Sequence, residues 1–111
     1  MDKVLEYGKL SEEAILELKK KHGDIYTLDV DYDENGKEAV LFGYLKKPDR
    51  PTLSMALSVI DRDPLRAKQI LLEKSWLAGD ERIKTDDDAF ISASVVLDQL
   101  IVVQRAGLKK N

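Results

Sequence analysis

The alternation of apolar and polar positions predicts a β-hairpin over about residues 24–45. In its first half, apolar or aromatic side chains occupy every second position and therefore share one face of a strand. These positions are Tyr26, Leu28, Val30 and Tyr32. A second strand-forming run covers residues 38–45, and Asn35-Gly36 between the runs tolerates the positive φ angles of a tight turn. We expect an antiparallel hairpin with its aromatic face buried.

A helical spacing of apolar residues predicts one helix before the hairpin and three after it. The first lies between Ser11, a favourable N-terminal cap, and Gly23, a favourable C-terminal one. The later helices are expected over about residues 52–61, 64–78 and 86–105, with Pro64 in the first turn of the second. The expected fold is α+β, with an N-terminal helix, a hairpin and three helices packed on the hairpin, in a single domain covering residues 1–111.

Composition narrows the classes of function. The 18 basic and 21 acidic residues give a net charge of −3, and no basic stripe of the kind that binds nucleic acid is present. Cysteine is absent, which excludes disulfides and zinc–thiolate sites. The sequence contains no run of about 18 apolar residues and no apolar stretch typical of a signal peptide near residue 1. We therefore expect a cytoplasmic protein with no nucleic-acid or membrane partner.

One segment resembles a metal site. Asp31-x-Asp33-x-Asn35-Gly36 matches the start of a calcium-binding EF-hand loop, in which convergent oxygens hold the ion. The twelfth loop position should be a bidentate glutamate but is Phe42, and the flanking segments are predicted strands rather than helices. The pattern is better interpreted as a polar hairpin tip, and no metal or cofactor is expected.

The remaining polar clusters also have simple structural interpretations. His22, the single histidine, follows three lysines at a predicted helix end, where positive charge stabilises the helix dipole. Asp86, Asp87 and Asp88 suit the opposite end of a helix for the same reason. No serine lies in a nucleophile turn, and no glycine-rich phosphate loop occurs. We therefore expect a protein that is not an enzyme.

The last two predicted helices carry more apolar surface than one buried stripe requires. Each has a second apolar line beside its main one. The residues of these second lines are Ile70 and Leu77 in the helix over 64–78, and Ile91, Val95 and Val102 in the helix over 86–105. Either the hairpin covers them or a partner does, because exposed apolar patches of that size usually mark interfaces. We take these five as candidate partner-binding residues.

Residues 46–103 resemble the tail assembly chaperones of long-tailed phages. The resemblance is carried by Leu45-Lys46-Lys47-Pro48, by Asp63-Pro64-Leu65-Arg66-Ala67, by the segment from Ile70 to Asp80, and by Asp88-Ala89-Phe90. It implies a non-enzymatic protein that holds the helices of a tape-measure protein and helps to bring tail-tube subunits to it. It implies no catalytic residues. The alternative is a homo-oligomeric structural or regulatory subunit whose second stripes pack against each other.

Overall fold

The computed structural model describes residues 4–102 and 108–111, except the side chain of Val102. The predicted α+β class is confirmed. In chain order the elements are β1 (Leu5–Tyr7), α1 (Glu12–His22), β2 (Ile25–Glu34), β3 (Lys37–Lys46), α2 (Arg50–Val59), α3 (Pro64–Ser75), β4 (Trp76–Gly79), α4 (Arg82–Thr85) and α5 (Asp87–Val102). None of the helices in this part of the chain is long and apolar enough to cross a bilayer.

The sheet is a mixed, four-stranded one and is larger than the hairpin that the sequence predicts. Strand β3 lies in its centre and pairs with β2 in antiparallel fashion, from Ile25 opposite Lys46 to Glu34 opposite Lys37. The other side of β3 is shared between two short strands, the parallel β1 and the antiparallel β4. Strand β2 therefore forms one complete edge of the sheet.

The tip of the β2–β3 pair is a two-residue turn. Asn35 has a φ of 53° and Gly36 a φ of 84°, as a tight hairpin turn requires. The Asp33 carboxylate accepts a hydrogen bond from the Gly36 amide at 3.0 Å. The acidic motif that resembles a calcium loop thus lies at a hairpin tip between two strands.

The main core lies between the sheet and α5. The alternate residues of β2 separate as the pattern predicts, with Leu28 and Val30 buried and Asp29 and Asp31 exposed. The buried members of this core are Leu28, Val30, Leu41, Leu45, Leu72, Ile83, Ala89, Ala93, Leu97 and Leu100. Alanines at two successive turns of α5 bring the helix close to the sheet, because they add little volume at the contact.

A second buried cluster joins α2 to α3. It contains Ala56 from α2 and Ala67, Ile70 and Leu71 from α3, with Ile101 of α5 packed against it. The Asp49 side chain accepts a hydrogen bond from the Thr52 amide at 2.9 Å and is the N-terminal cap of α2. The helix therefore begins at Arg50, two residues before the start predicted over 52–61.

The predicted helix over 64–78 is wrong at its end. Helix α3 stops at Ser75, and the next four residues form β4, in which Trp76 and Ala78 lie opposite Leu45 and Tyr44. Pairing with β3 overrides the helical spacing. Gly43 makes the pairing feasible, because a Cβ atom there would lie 2.8 Å from the Trp76 ring.

The predicted boundaries differ in two other places. The segment before Ser11, for which the sequence predicts no helix or strand, contains β1, which pairs with residues 39–41. Helix α5 begins at Asp87, and its Ala89 amide donates to the Asp86 carboxylate at 2.9 Å. Residues 103–105 of the helix predicted over 86–105 lie outside the described residues.

Candidate protein-binding surface on α5

Helix α5 is held against the sheet along one side only. Ala93 and Leu97 are buried in the main core, each with an exposed fraction of 1%. Residues on the opposite side cannot reach the sheet, since positions three to four apart share a face of the helix. The remaining helices cover only part of that opposite side.

Two apolar side chains on the uncovered side of α5 are exposed to solvent. Ile91 is 53% exposed and Val95, one turn later, is 72% exposed. We call this pair the α5 outer face. Both belong to the second apolar line that the sequence predicts. The third member, Val102, is the last described residue of α5, and its side chain lies outside the described part of the chain.

The structure does not bring all five predicted residues together. Ile70 is buried at 6% exposure in the α2–α3 cluster and is not available to a partner, so this prediction is wrong. The reason is that α2 packs on the second apolar line of α3. Leu77 is half-buried in β4, not on a helix, and therefore does not extend a helical stripe.

Polar groups border the α5 outer face. Asp98, close to one turn beyond Val95, lies 3.5 Å from the Lys68 ammonium of α3. Ser92 and Gln99, which flank the pair on α5, are exposed and polar. An apolar centre with a polar rim is the usual arrangement of a protein–protein contact surface.

Arg82 is the centre of a second cluster, which consists of charged and aromatic side chains at one end of the sheet. Its guanidinium donates to both carboxylate oxygens of Asp80, at 3.0 and 2.8 Å. It also lies 4.6 Å from the centre of the Tyr7 ring and 5.1 Å from that of Tyr32. A Glu34 carboxylate oxygen is 4.0 Å away. This Arg82 cluster therefore joins β1, β2 and the turn before α4.

The charges in the Arg82 cluster are fixed by their neighbours. Hydrogen bonding to Arg82 holds the pKa of Asp80 below its ordinary value. The Asp80 carboxylate in turn raises the pKa of Arg82. The Glu34 carboxylate beside the Tyr7 hydroxyl raises the pKa of that phenol. These shifts favour an ionised Asp80, a protonated Arg82 and a neutral Tyr7 phenol at neutral pH.

The sequence contains no clear signal for this cluster, because it needs residues from three separate segments. The only local signal is the spacing of Asp80 and Arg82, which is common in polar turns. Within residues 4–102 and 108–111, no group of three or more acidic or histidine side chains is placed to hold a metal ion.

Comparison with known proteins adds no assignment. No family model, curated protein or solved structure matches the chain.

Proposed function

We propose that this chain is a non-catalytic protein-binding module, a tail assembly chaperone or adaptor of the phage type. It holds a helical structural partner against the α5 outer face. One observation carries the proposal: Ile91 and Val95 are exposed on the side of α5 opposite the buried Ala93 and Leu97. Single exposed apolar residues are ordinary, but two on adjacent turns form a continuous contact line.

The chemistry of the surface favours a helix as the partner. An amphipathic helix offers apolar side chains three and four residues apart, which matches the spacing of Ile91 and Val95. Covering each side chain would contribute about 1.5–3 kcal/mol of apolar burial. The tape-measure protein of a long-tailed phage is the kind of partner that the resemblance of residues 46–103 implies, with the tail-tube protein as a second.

The test is co-expression with the tape-measure protein encoded nearest to this gene on the same genome. We expect the chain to co-purify with it and to increase its soluble fraction. Val95→Glu should abolish both effects, because a partner helix would have to bury the new carboxylate. A matched control is Leu57→Glu, which places the same charge at another exposed aliphatic residue, on α2. It should leave capture unchanged.

Stability must be measured for both variants. Val95 is 72% exposed, so Val95→Glu should change the free energy of unfolding by less than about 0.5 kcal/mol. Capture that survives Val95→Glu in the folded protein would refute the proposed surface.

The same face also fits a second copy of the chain, which is the alternative function of a homo-oligomeric subunit. Sedimentation of the isolated chain separates the two. A dimer that Val95→Glu converts to a monomer assigns the α5 outer face to self-association and contradicts the chaperone proposal.

A further inference from the structure

The free edge of β2 is a second feature that the fold leaves uncovered. Strand β2 has ten residues and pairs only with β3. In the described part of the chain, no backbone hydrogen bond joins β2 to any other segment. A strand edge of this length presents a row of unpaired N–H and C=O groups that another strand can use.

The register identifies which peptide groups face outward. The two-residue turn closes the strand pair at Glu34 and Lys37, and a two-residue hairpin begins with a hydrogen-bonded pair. Bonded pairs then recur at every second position along the strands. We therefore expect the backbone groups of Thr27, Asp29 and Asp31 to point away from β3, toward the free edge.

A groove lies beside residues 26–28 of this edge, on the inner side of the sheet. It has a volume of about 140 Å³ and lies between β2 and α5, with Tyr26, Leu28, Val96 and Leu100 among its lining residues. Val96 is 39% exposed and lies on the flank of α5 that faces β2. Alternate side chains of an added strand would enter this groove, and apolar ones would fit it.

The other side of the edge is acidic. Asp29, Asp31 and Asp33 are exposed on the outer face of β2, and none of them takes part in an ion pair among the described residues. The strand partner of Asp33 is Glu38, which adds negative charge. Residues opposite these carboxylates on an added strand would lie about 4.5–5.5 Å away between Cβ atoms, where opposite charges stabilise the pair.

These features disfavour a second copy of β2 as the added strand. Antiparallel self-pairing centred on Asp29, or between Asp29 and Asp31, would place carboxylates of one copy opposite carboxylates of the other. Like charges directly opposite each other destabilise a strand pair. The charges along the β2 edge therefore disfavour pairing with a second β2 and favour a strand with basic side chains.

We propose that the β2 edge binds an extended segment of another protein in which apolar and basic side chains alternate. The segment adds a fifth strand to the sheet, with its apolar residues over the groove beside Val96 and its basic residues opposite Asp29 and Asp31. This site is separate from the α5 outer face, and neither proposal depends on the other.

The probe is a synthetic seven-residue peptide, Lys-Val-Lys-Val-Lys-Val-Lys, with blocked ends. We expect the peptide to bind with a dissociation constant of about 1 mM or lower. Amide NMR and hydrogen exchange measure this binding. The amides of Thr27, Asp29 and Asp31 should exchange rapidly in the free protein and at least about tenfold more slowly with peptide. An acidic peptide, Glu-Val-Glu-Val-Glu-Val-Glu, should not bind.

Two peptide variants test strand addition directly. N-methyl groups on alternate residues block one edge of the peptide while leaving its charge unchanged. Methylation of the edge that faces β2 should abolish binding, and methylation of the opposite edge should not. Equal binding by the two methylated peptides would show charge attraction alone and would overturn the proposal.

Variants of the protein complete the test. Val96→Asn should weaken binding about fivefold by removing an apolar wall of the groove. Ser92→Asn, one turn earlier on α5 and outside the groove, should have no effect. Asp29→Lys combined with Asp31→Lys should reverse the preference toward the acidic peptide. Slow amide exchange along the β2 edge without peptide would also refute the proposal, because the edge would then already be occupied.

Discussion

Helices α3 and α5 have similar apolar patterns but different surroundings. Both carry a second apolar line, represented by Ile70 on α3 and by Val95 on α5. Ile70 is 6% exposed because α2 covers it, whereas Val95 is 72% exposed. The comparison shows that an extra apolar line does not by itself indicate a partner. Such a line indicates a partner only where no neighbouring element of the fold covers it.

The largest expected effect comes from removing the covered line. Ile70→Ala should lower the free energy of unfolding by about 2–5 kcal/mol, because it leaves a cavity between α2 and α3. Val95→Ala should lower it by less than about 0.5 kcal/mol, since solvent already surrounds that side chain. Urea denaturation of both variants measures the difference. Similar losses for the two would contradict the contrast between the helices.

Gly79 ends β4, the strand that follows α3. Gly79 has a φ of 130°, and a Cβ atom there would contact the Phe42 carbonyl oxygen and lie 2.7 Å from the Gly43 Cα atom. We expect Gly79→Ala to cost about 3 kcal/mol, from backbone strain and from separation of β4 and β3.

Amide exchange at β4 distinguishes this local effect from general unfolding. The Asp80 amide, which donates to the Phe42 carbonyl at 2.8 Å, should lose protection first. Gly23→Ala is the control, because it also has a positive φ but meets no atom within 4 Å. An equal loss of stability in Gly23→Ala would mean that the positive φ alone causes the effect, without the contact between β4 and β3.

The Arg82 cluster fixes the turn before α4, which lies between α3 and α5 in the chain. It should make the free energy of unfolding depend on pH. Because Asp80 has a lowered pKa in the folded chain, its ionised form contributes stability above the unfolded value of about 3.9. That contribution is lost as the pH falls through the folded pKa. Asp80→Asn should therefore cost about 1–2 kcal/mol at pH 7 and progressively less in acid.

Denaturation curves at neutral pH and at about pH 3 measure this dependence. Asp87→Asn serves as a control, since Asp87 is an exposed acid at the start of α5 for which no ion pair is found among the described residues. A loss for Asp80→Asn that stays constant with pH would indicate altered packing rather than loss of the charged pair.

Sequence patterns predicted much of the fold because they reflect local geometry. The alternation in β2 separates Leu28 from Asp29, and Ser11 accepts a hydrogen bond from the Ala14 amide at 3.1 Å as an N-terminal cap. Strand β4 was missed, because the spacing of Trp76 and Leu77 also fits a helix and only pairing with β3 decides between them.

The candidate surface was predicted less completely for a related reason. Spacing along a helix identifies which residues share a face, but it does not identify the element that covers the face. Val95 and Ile70 therefore looked equivalent in the sequence. The groove beside Val96 depends on the distance between β2 and α5, which no local pattern contains.

The smallest expected effect concerns the polar contact between the two helices. Asp98→Asn removes the charge that faces Lys68 at 3.5 Å while keeping the shape of the side chain. Asp98 is 57% exposed, so the pair should contribute less than about 0.5 kcal/mol. Leu97→Ala, at the neighbouring buried position, should cost about 2–5 kcal/mol.

A loss above about 1 kcal/mol for Asp98→Asn would show that a salt-sensitive contact, rather than the packing of Ile101 against the α2–α3 cluster, orients α5. The exposure of Val95 would then vary with ionic strength.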